Sequence, residues 1–499
     1  MNIKQAKEEI KHTVRAYLAK EEMGEYTIPA IRQRPILLIG PPGIGKTQIM
    51  EQIARECNIG LVSYTITHHT RQSAVGLPYI KEKEFQGKTY SVTEYTMSEI
   101  IASVYEKIEE TGIQEGILFI DEINCVSETL APTMLQFLQC KTFGGQSVPK
   151  GWVIAAAGNP PEYNKSVREF DMVTLDRVRC IFVEADYKVW REYAKTQRIH
   201  GAILSYLELR QKNFYRVEAD VDGIQYVTAR GWEDFHYLLL AYEKERLPIT
   251  PEIVYEYLRH KEVAEDVAAY LDLYRKYQDD YGIEEILAGT VKPAVFARIY
   301  EAAFDERISV VNLLLDGLMK RFLDVYFEKY LTDEYFAFLK SYRAGMERTD
   351  QPLLEYENRL LELETSFRNK EKNGFLDSKT RRFERRMFLL LKEGKPSAES
   401  ASWEEAFEYA RTKFKAQNEK LNQKEEEAKT ALEFAFDFME EAFGSGEEMI
   451  IFVTELTVSK EAAAFLAENE CERYLLYNSQ LLIGSRKGEL LLELERGNR

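Results

Sequence analysis

The sequence predicts an α/β domain built on a parallel sheet, followed by a mainly α-helical second half. Three observations carry this expectation. The apolar run Ile36-Leu37-Leu38-Ile39 leads directly into Gly40 to Thr47, reading GPPGIGKT, and then into an amphipathic stretch from Gln48 to Cys57. A second apolar run, ILFI, ends in the acidic pair Asp121-Glu122. From about residue 291 onward there is no glycine-rich loop, only long runs of helical periodicity.

Gly40, Pro41, Pro42, Gly43, Ile44, Gly45, Lys46 and Thr47 have the composition and spacing of a phosphate-binding loop. Glycines let the backbone curl so that successive N–H groups converge, and the following helix brings its partly positive N-terminus to the same anion. Lys46 adds a full charge aimed at the terminal phosphates, and the Thr47 hydroxyl is placed to ligate Mg²⁺. The strand Gly116 to Glu122 is buried on both sides and presents two carboxylates at its C-terminal edge, where open α/β sheets bind ligands. Asp121 is expected to hold the metal through its water shell, and Glu122 to orient or deprotonate an attacking water. A further strand, Trp152 to Ala157, runs into Gly158-Asn159-Pro160. Asn159 is therefore expected at the same edge, one strand over, positioning a water against the γ-phosphate.

The other elements are read in chain order. An N-terminal helix precedes Thr27 to Arg34, the segment leading into the first strand and expected beside a bound base. Gly60 to Thr67 reads as a second strand. It ends at His68 and His69, which point to opposite faces of a strand and so do not share a metal. Two short strands around Gln86-Gly87 precede a helix from Met97 to Thr111. A helix from Ser127 to Gln139, with Ser127 as N-cap, precedes a tight hairpin at Phe143-Gly144-Gly145-Gln146. Arg177 stands before a strand from Cys180 to Glu184. Thr228 is placed to cap a helix whose first turn holds Arg230, within reach of a phosphate.

Composition bounds the rest. A chain of 499 residues, 45% hydrophobic and 30% charged, is expected to fold as two or three globular domains. No apolar stretch approaches the ~20 residues of a spanning helix, and the N-terminal segment lacks the apolar core of a secretory signal. Five scattered cysteines, without metal spacing, suit a reducing cytoplasm. A net charge of −17 opposes non-specific binding to nucleic acid or anionic lipid. The one local basic cluster, Arg381, Arg382, Arg385 and Arg386, reads first as a solvated helix face.

The ordered set GPPGIGKT, ILFIDE, AAAGNP, TLDR and TAR resembles the AAA+ ATPases, and specifically their MoxR-like branch, over residues 27 to about 290. The resemblance implies an α/β P-loop NTPase fold, with an AAA+ module of parallel-sheet core and helical lid, followed by the α-helical C-terminal region. It divides the chain into an N-terminal helix (1–26), an ATPase core (27–186), a helical lid (187–290) and the C-terminal region (291–499). By the same resemblance Asn159 is the sensor-1 residue and Arg230 the sensor-2 residue. Arg177 is the arginine finger that acts on a neighbouring subunit's nucleotide. The ribbon at Gln86-Gly87 and the FGG turn are similar to the hairpin insertions of this clade. The chain departs from the branch in two places: Asp176-Arg177-Val178 stands for Asp-Arg-Phe, with Arg168 and Arg179 nearby, and Thr-Ala-Arg stands for Ser-Pro-Arg.

The family arrangement implies ATP and Mg²⁺ at subunit boundaries of a homo-oligomeric ring, usually a hexamer. It also implies chaperone-like work on a protein client, often with a von Willebrand factor A domain partner. A nucleic-acid-dependent motor or DNA translocase subunit is the alternative from another class, and a nucleotide-gated scaffold without turnover is a third. In the C-terminal region the run 403–443 reads as a bundle helix in preference to a coiled coil. Arg368 to Thr380 and residues 393 to 402 read as connections.

Overall fold

The computed structural model describes residues 1–68, 74–127, 129–143, 145–163, 167, 170–220, 223–397 and 402–481. Its centre is a five-stranded, all-parallel sheet. The strands are β1 (Ile36–Ile39), β2 (Gly60–Thr65), β5 (Gly116–Asp121), β8 (Trp152–Gly158) and β9 (Arg179–Phe182), in the order β2-β5-β8-β1-β9. Alternate residues face opposite layers, as the pleat requires. Leu37, Leu118, Ile120 and Ile154 pack on one side with α3 (Glu99–Thr111) and α4 (Ala131–Cys140). Leu38, Phe119, Val153 and Ala155 pack on the other with α1 (Ile3–Leu18) and α2 (Lys46–Cys57). Burial on both faces explains why these strands read as unbroken apolar runs.

The exposed antiparallel ribbon β3 (Pro78–Phe85) and β4 (Lys88–Tyr95) turns at Gln86-Gly87, as expected. The short pair β6 (Thr142–Phe143) and β7 (Gln146–Ser147) forms the second hairpin, with Gly144 outside the described residues. Several boundaries differ from expectation. Ser127 does not cap α4: its carbonyl accepts from Leu130 and Ala131 N–H in a turn, and the helix begins at Ala131, with Pro132 in its first turn. β2 stops at Thr65 and passes into a short 3₁₀ turn, Ile66–His68; His69 lies outside the described residues. Among the described residues no cluster of His, Cys, Asp and Glu is arranged to hold a metal ion.

After α5 (Met172–Arg177) and β9, the chain continues through α6 (Tyr187–Gln197), α7 (Gly201–Leu209), the ribbon β10 (Arg216–Asp220) and β11 (Gly223–Val227), α8 (Ala229–Glu245), α9 (Pro251–Tyr257), α10 (Lys261–Tyr281) and α11 (Ile283–Leu287). The remaining helices are α12 (Pro293–Glu301), α13 (Phe304–Arg343), α14 (Pro352–Lys372), α15 (Ser378–Glu393), α16 (Trp403–Phe443), α17 (Glu447–Val458) and α18 (Lys460–Glu468). One apolar core, including Trp190, Trp232, Leu314, Phe436 and Phe452, runs from α6 to α18 without a break at residue 290. A second core, around Tyr335, Tyr342, Tyr356 and Leu391, lies farther along α13 and α16.

Those two long helices run antiparallel: Glu328 meets Gln417 (2.8 Å), while Tyr335 hydroxyl donates to Ala410 O (3.2 Å) seven residues on. The buried Glu328 also pairs with Lys420 (2.6 Å), a polar layer that fixes the register of an otherwise apolar seam. α16 is thus a bundle helix. The expected connection 368–380 is mostly helical, since α14 reaches Lys372 and α15 starts at Ser378 behind its Asp377 cap. On α15 the arginine cluster is an ion-paired face, with Arg381 and Arg385 on Glu371 and Phe383 buried. α6 is clasped by acids of the last helices. Arg191 (2.6 Å) and Lys195 both reach Glu455, and Arg198 shares Glu461 with Lys379. No described helix is long and apolar enough to cross a membrane.

At one end of the sheet the Trp152 indole lies against two glycines, Gly60 and Gly116. A Cβ on Gly116 would stand 2.7 Å from the Trp152 ring and 2.7 Å from Gly60 O. Gly116→Ala is expected to destabilise the sheet domain by about 1–3 kcal/mol, read as a lowered thermal midpoint, with Gly116→Val worse.

Candidate functional site

The three strand-to-helix crossovers nearest the middle of the sheet all end at one edge, and this places the polar residues. β1 lies between β8 and β9, so the loop Gly40 to Thr47 emerges beside Asn159, which follows β8; Asp121 ends β5 on the far side of β8, and Glu122 follows it. Gly43 and Gly45 have left-handed backbones (φ +72° and +91°), which curl the loop and start α2 at Lys46.

Lys46 is buried, and its ammonium donates to Gly40 O (2.7 Å), Pro41 O (2.8 Å) and Asn159 Oδ1 (2.9 Å). Burial lowers its pKa to about 8, against the opposing pull of Asp121. A cation whose hydrogen-bond partners are all neutral oxygens can exchange them for those of an anion. Thr47 Oγ1 donates to Asp121 Oδ2 (2.7 Å). This hydroxyl and carboxylate form a two-oxygen face suited to Mg²⁺, which keeps most of its shell as water and phosphate oxygen.

Glu122 adopts a left-handed conformation (φ 56°), which costs a non-glycine residue on the order of 1 kcal/mol and turns its side chain off the strand. Its Oε2 accepts from Thr67 Oγ1 (3.1 Å), and its N–H donates to Asp121 Oδ1 (2.9 Å). Asn159 is fixed by Asn124, whose amide donates to Asn159 O (2.8 Å) and accepts from Asn159 N–H (3.2 Å).

The fourth wall comes from the helical part. Thr228 caps α8 by accepting from Gly231 N–H, so Arg230 lies in the first turn. Arg230 N–H donates to Gly43 O (3.1 Å), and a Cβ on Gly43 would meet the Thr228 side chain at 3.0 Å. Tyr215 hydroxyl donates to Pro42 O (3.0 Å). The helical part therefore rests directly on the loop. Together these residues enclose a cavity of about 440 Å³, large enough for a small organic phosphate. Its far end is closed by Ile3 and Lys7 of α1 and by Val189 and Trp190 of α6. Thr27 to Arg34, expected at that end, does not line it: Gln33 is buried beneath α1, donating to Tyr17 O and Ile28 O.

The structure thus brings together Gly40 to Thr47, Asp121, Glu122, Asn159 and Arg230. Arg177 is not among them. It ends the short α5, exposed, beside the exposed Met172 and Val173. Of its two neighbours, Arg179 is paired with Glu9, and Arg168 lies outside the described residues. Thr67, Asn124, Tyr215 and Glu233 went unread in the sequence. Only Glu233 left a local signal, standing one helical turn beyond Arg230 on the same face.

Asn124→Ala removes both bonds that fix Asn159. Turnover is expected to fall roughly tenfold or more while nucleotide affinity stays within about twofold, as separate turnover and equilibrium-binding measurements will show.

None of the curated proteins matches the chain. A crystal structure of a "putative ATPase" from Cytophaga hutchinsonii is similar at 14% identity, over 37% of this chain and 50% of that one. Its TM-score of 0.20 is too low to carry a structural comparison. The chain thus spans half the length of that protein. The model of the ATPase family associated with various cellular activities (AAA) matches residues 36–175, the stretch from β1 through the loop, the acidic pair and Asn159 to α5. Residues 36–175 are an AAA ATPase domain.

Proposed function

We propose that the chain is an ATP-hydrolysing motor of the MoxR-like AAA+ type. In this reading it works as a homo-oligomeric ring, hexameric as is usual in that branch, to remodel, assemble or activate a protein client. The observation that supports it is the convergence of Lys46, Thr47, Asp121, Glu122, Asn159 and Arg230 on one cavity. These are the charges and hydrogen-bonding groups that phosphoryl transfer to water needs.

Lys46 exchanges its carbonyl partners for phosphate oxygens. Thr47 and Asp121 hold Mg²⁺, which when bound neutralises charge on the phosphate oxygens. Glu122 orients the attacking water and accepts its proton as the bond from the γ-phosphorus to the bridging oxygen breaks. Asn159 holds that water in line, and Arg230 couples the phosphate to α8. Arg177, exposed and away from its own cavity, is assigned to a neighbouring copy's nucleotide. The exposed Met172 and Val173 beside it suit a contact between subunits. The C-terminal helices, rooted in the same core as α8, are assigned to the client or to a von Willebrand factor A domain partner. The five cysteines, none of them in a disulfide among the described residues, suit a cytoplasmic setting.

Glu122→Gln is expected to bind ATP with near-normal affinity and to lower turnover ~10²-fold or more; equal rates would sink the hydrolase mechanism. Arg177→Ala is expected to be as slow on its own. Mixing it with Glu122→Gln should restore part of the rate, because a mixed ring pairs an intact Glu122 with an intact Arg177 across a boundary. Absence of any recovery in a confirmed mixed oligomer would remove Arg177 from that role.

A further inference from the structure

We propose that Glu233 reads the sugar of the bound nucleotide, its carboxylate accepting from a ribose hydroxyl. This rests on the ATP reading above and extends it to a residue that none of the site's motifs includes.

Four observations place Glu233 there. It lines the same cavity as the phosphate loop, one turn beyond Arg230 on α8. Its side chain is reached by donors from two other elements: Gln48 Nε2 of α2 (3.4 Å) and Trp190 Nε1 of α6 (3.4 Å). Tyr193 of α6 bonds to it as well. Both nitrogen contacts are at the long limit of a hydrogen bond, and a carboxylate offers about four acceptor positions, so Glu233 keeps capacity for a ligand donor.

Gln48 sets its distance from the phosphates. This residue directly follows Thr47, and its Oε1 is turned back to Gly45, where a Cβ would meet it at 3.3 Å. Its Nε2 is thereby directed outward to Glu233. The carboxylate therefore stands one glutamine side chain beyond the phosphate end of the cavity, on the way to Ile3, Val189 and Trp190.

Charge then selects the ligand group. The cavity's other lysines are committed, Lys4 to Glu192 and Lys7 to Gln52 and Glu56, and among the described residues no ion pair involves Glu233. An anionic acceptor without a cation repels a phosphate and favours neutral donors. At the sugar position of a nucleoside triphosphate these are the 2′- and 3′-hydroxyls. An exocyclic amine on the base would offer the same donor chemistry from farther out, so the test separates the two.

Equilibrium binding to the full chain is measured with ATP, 2′-deoxy-ATP, 3′-deoxy-ATP and inosine triphosphate, which lacks the base amine. The wild-type protein is expected to bind at least one deoxy analogue roughly tenfold more weakly than ATP, and inosine triphosphate about as well as ATP. Glu233→Ala is expected to bring ATP down to the level of the deoxy analogue; Glu233→Gln, isosteric and still an acceptor, is expected to keep part of the preference. Equal wild-type affinities for ATP and both deoxy analogues overturn the proposal without recourse to any variant. So does a preference that survives in Glu233→Ala, or one directed against inosine triphosphate instead. Failure of every nucleotide to bind overturns the ATP reading with it, whereas tight binding of all four overturns the sugar assignment alone.

Discussion

The buried ammonium of Lys46 is the contact on which the site depends. It is surrounded by Gly40 O, Pro41 O and Asn159 Oδ1, none of them charged, in a loop that two left-handed glycines force to curl. Partial charges orient an ammonium but do not neutralise it, so Lys46 keeps its charge available to an anion, offset only in part by the Asp121 and Glu122 carboxylates. The rest of the architecture serves that arrangement. Parallel pairing of β1 with β8 and β9 fixes the loop beside Asn159. Pairing of β8 with β5 brings Asp121 within 2.7 Å of the Thr47 hydroxyl.

Much of this was legible because the residues that matter sit at ends of strands that identify themselves. Apolar runs such as Leu37-Leu38 and Leu118-Phe119 are buried on both faces, and the residues just after a doubly buried parallel strand must lie at the sheet edge. Lys46, Thr47, Asp121, Glu122 and Asn159 inherit their positions from that rule. The residues that hold them in place do not. Asn124 reaches Asn159 across 35 residues, Thr67 reaches Glu122 across 55, and Tyr215 reaches Pro42 across 173. Each is an ordinary polar residue whose partner is fixed by tertiary packing and by nothing in its own neighbourhood.

The same distinction accounts for the boundaries that differed. Ser127 has the right chemistry for a helix cap, yet its carbonyl is drawn into a turn with Leu130 and Ala131, and the helix starts four residues later at Ala131. Thr27 to Arg34 precedes the first strand and in that sense was well placed. α1 packs on α2 and takes the position at the far end of the cavity. The helical second half gave its periods correctly in the long runs, but periodicity is silent on partners. That helices from α6 to α13 share one core with α16, α17 and α18, while α14 and α15 join the other, depends on which faces meet, information carried by no one helix.

The length of α13 has a mechanical consequence. Its 40 residues make a rod of roughly 60 Å at 1.5 Å per residue, far longer than the helices of the first core that grip its base. The base, at Val310, Leu314 and Leu318, is packed among the helices next to Arg230, whereas the tip, at Phe338 and Tyr342, belongs to the outer cluster. With α16 bound alongside in fixed register, the two cannot bend independently. A tilt of about 10° at the root would therefore sweep the outer cluster by roughly 10 Å over such a length, so that a small rotation at the base becomes a large displacement at the extremity.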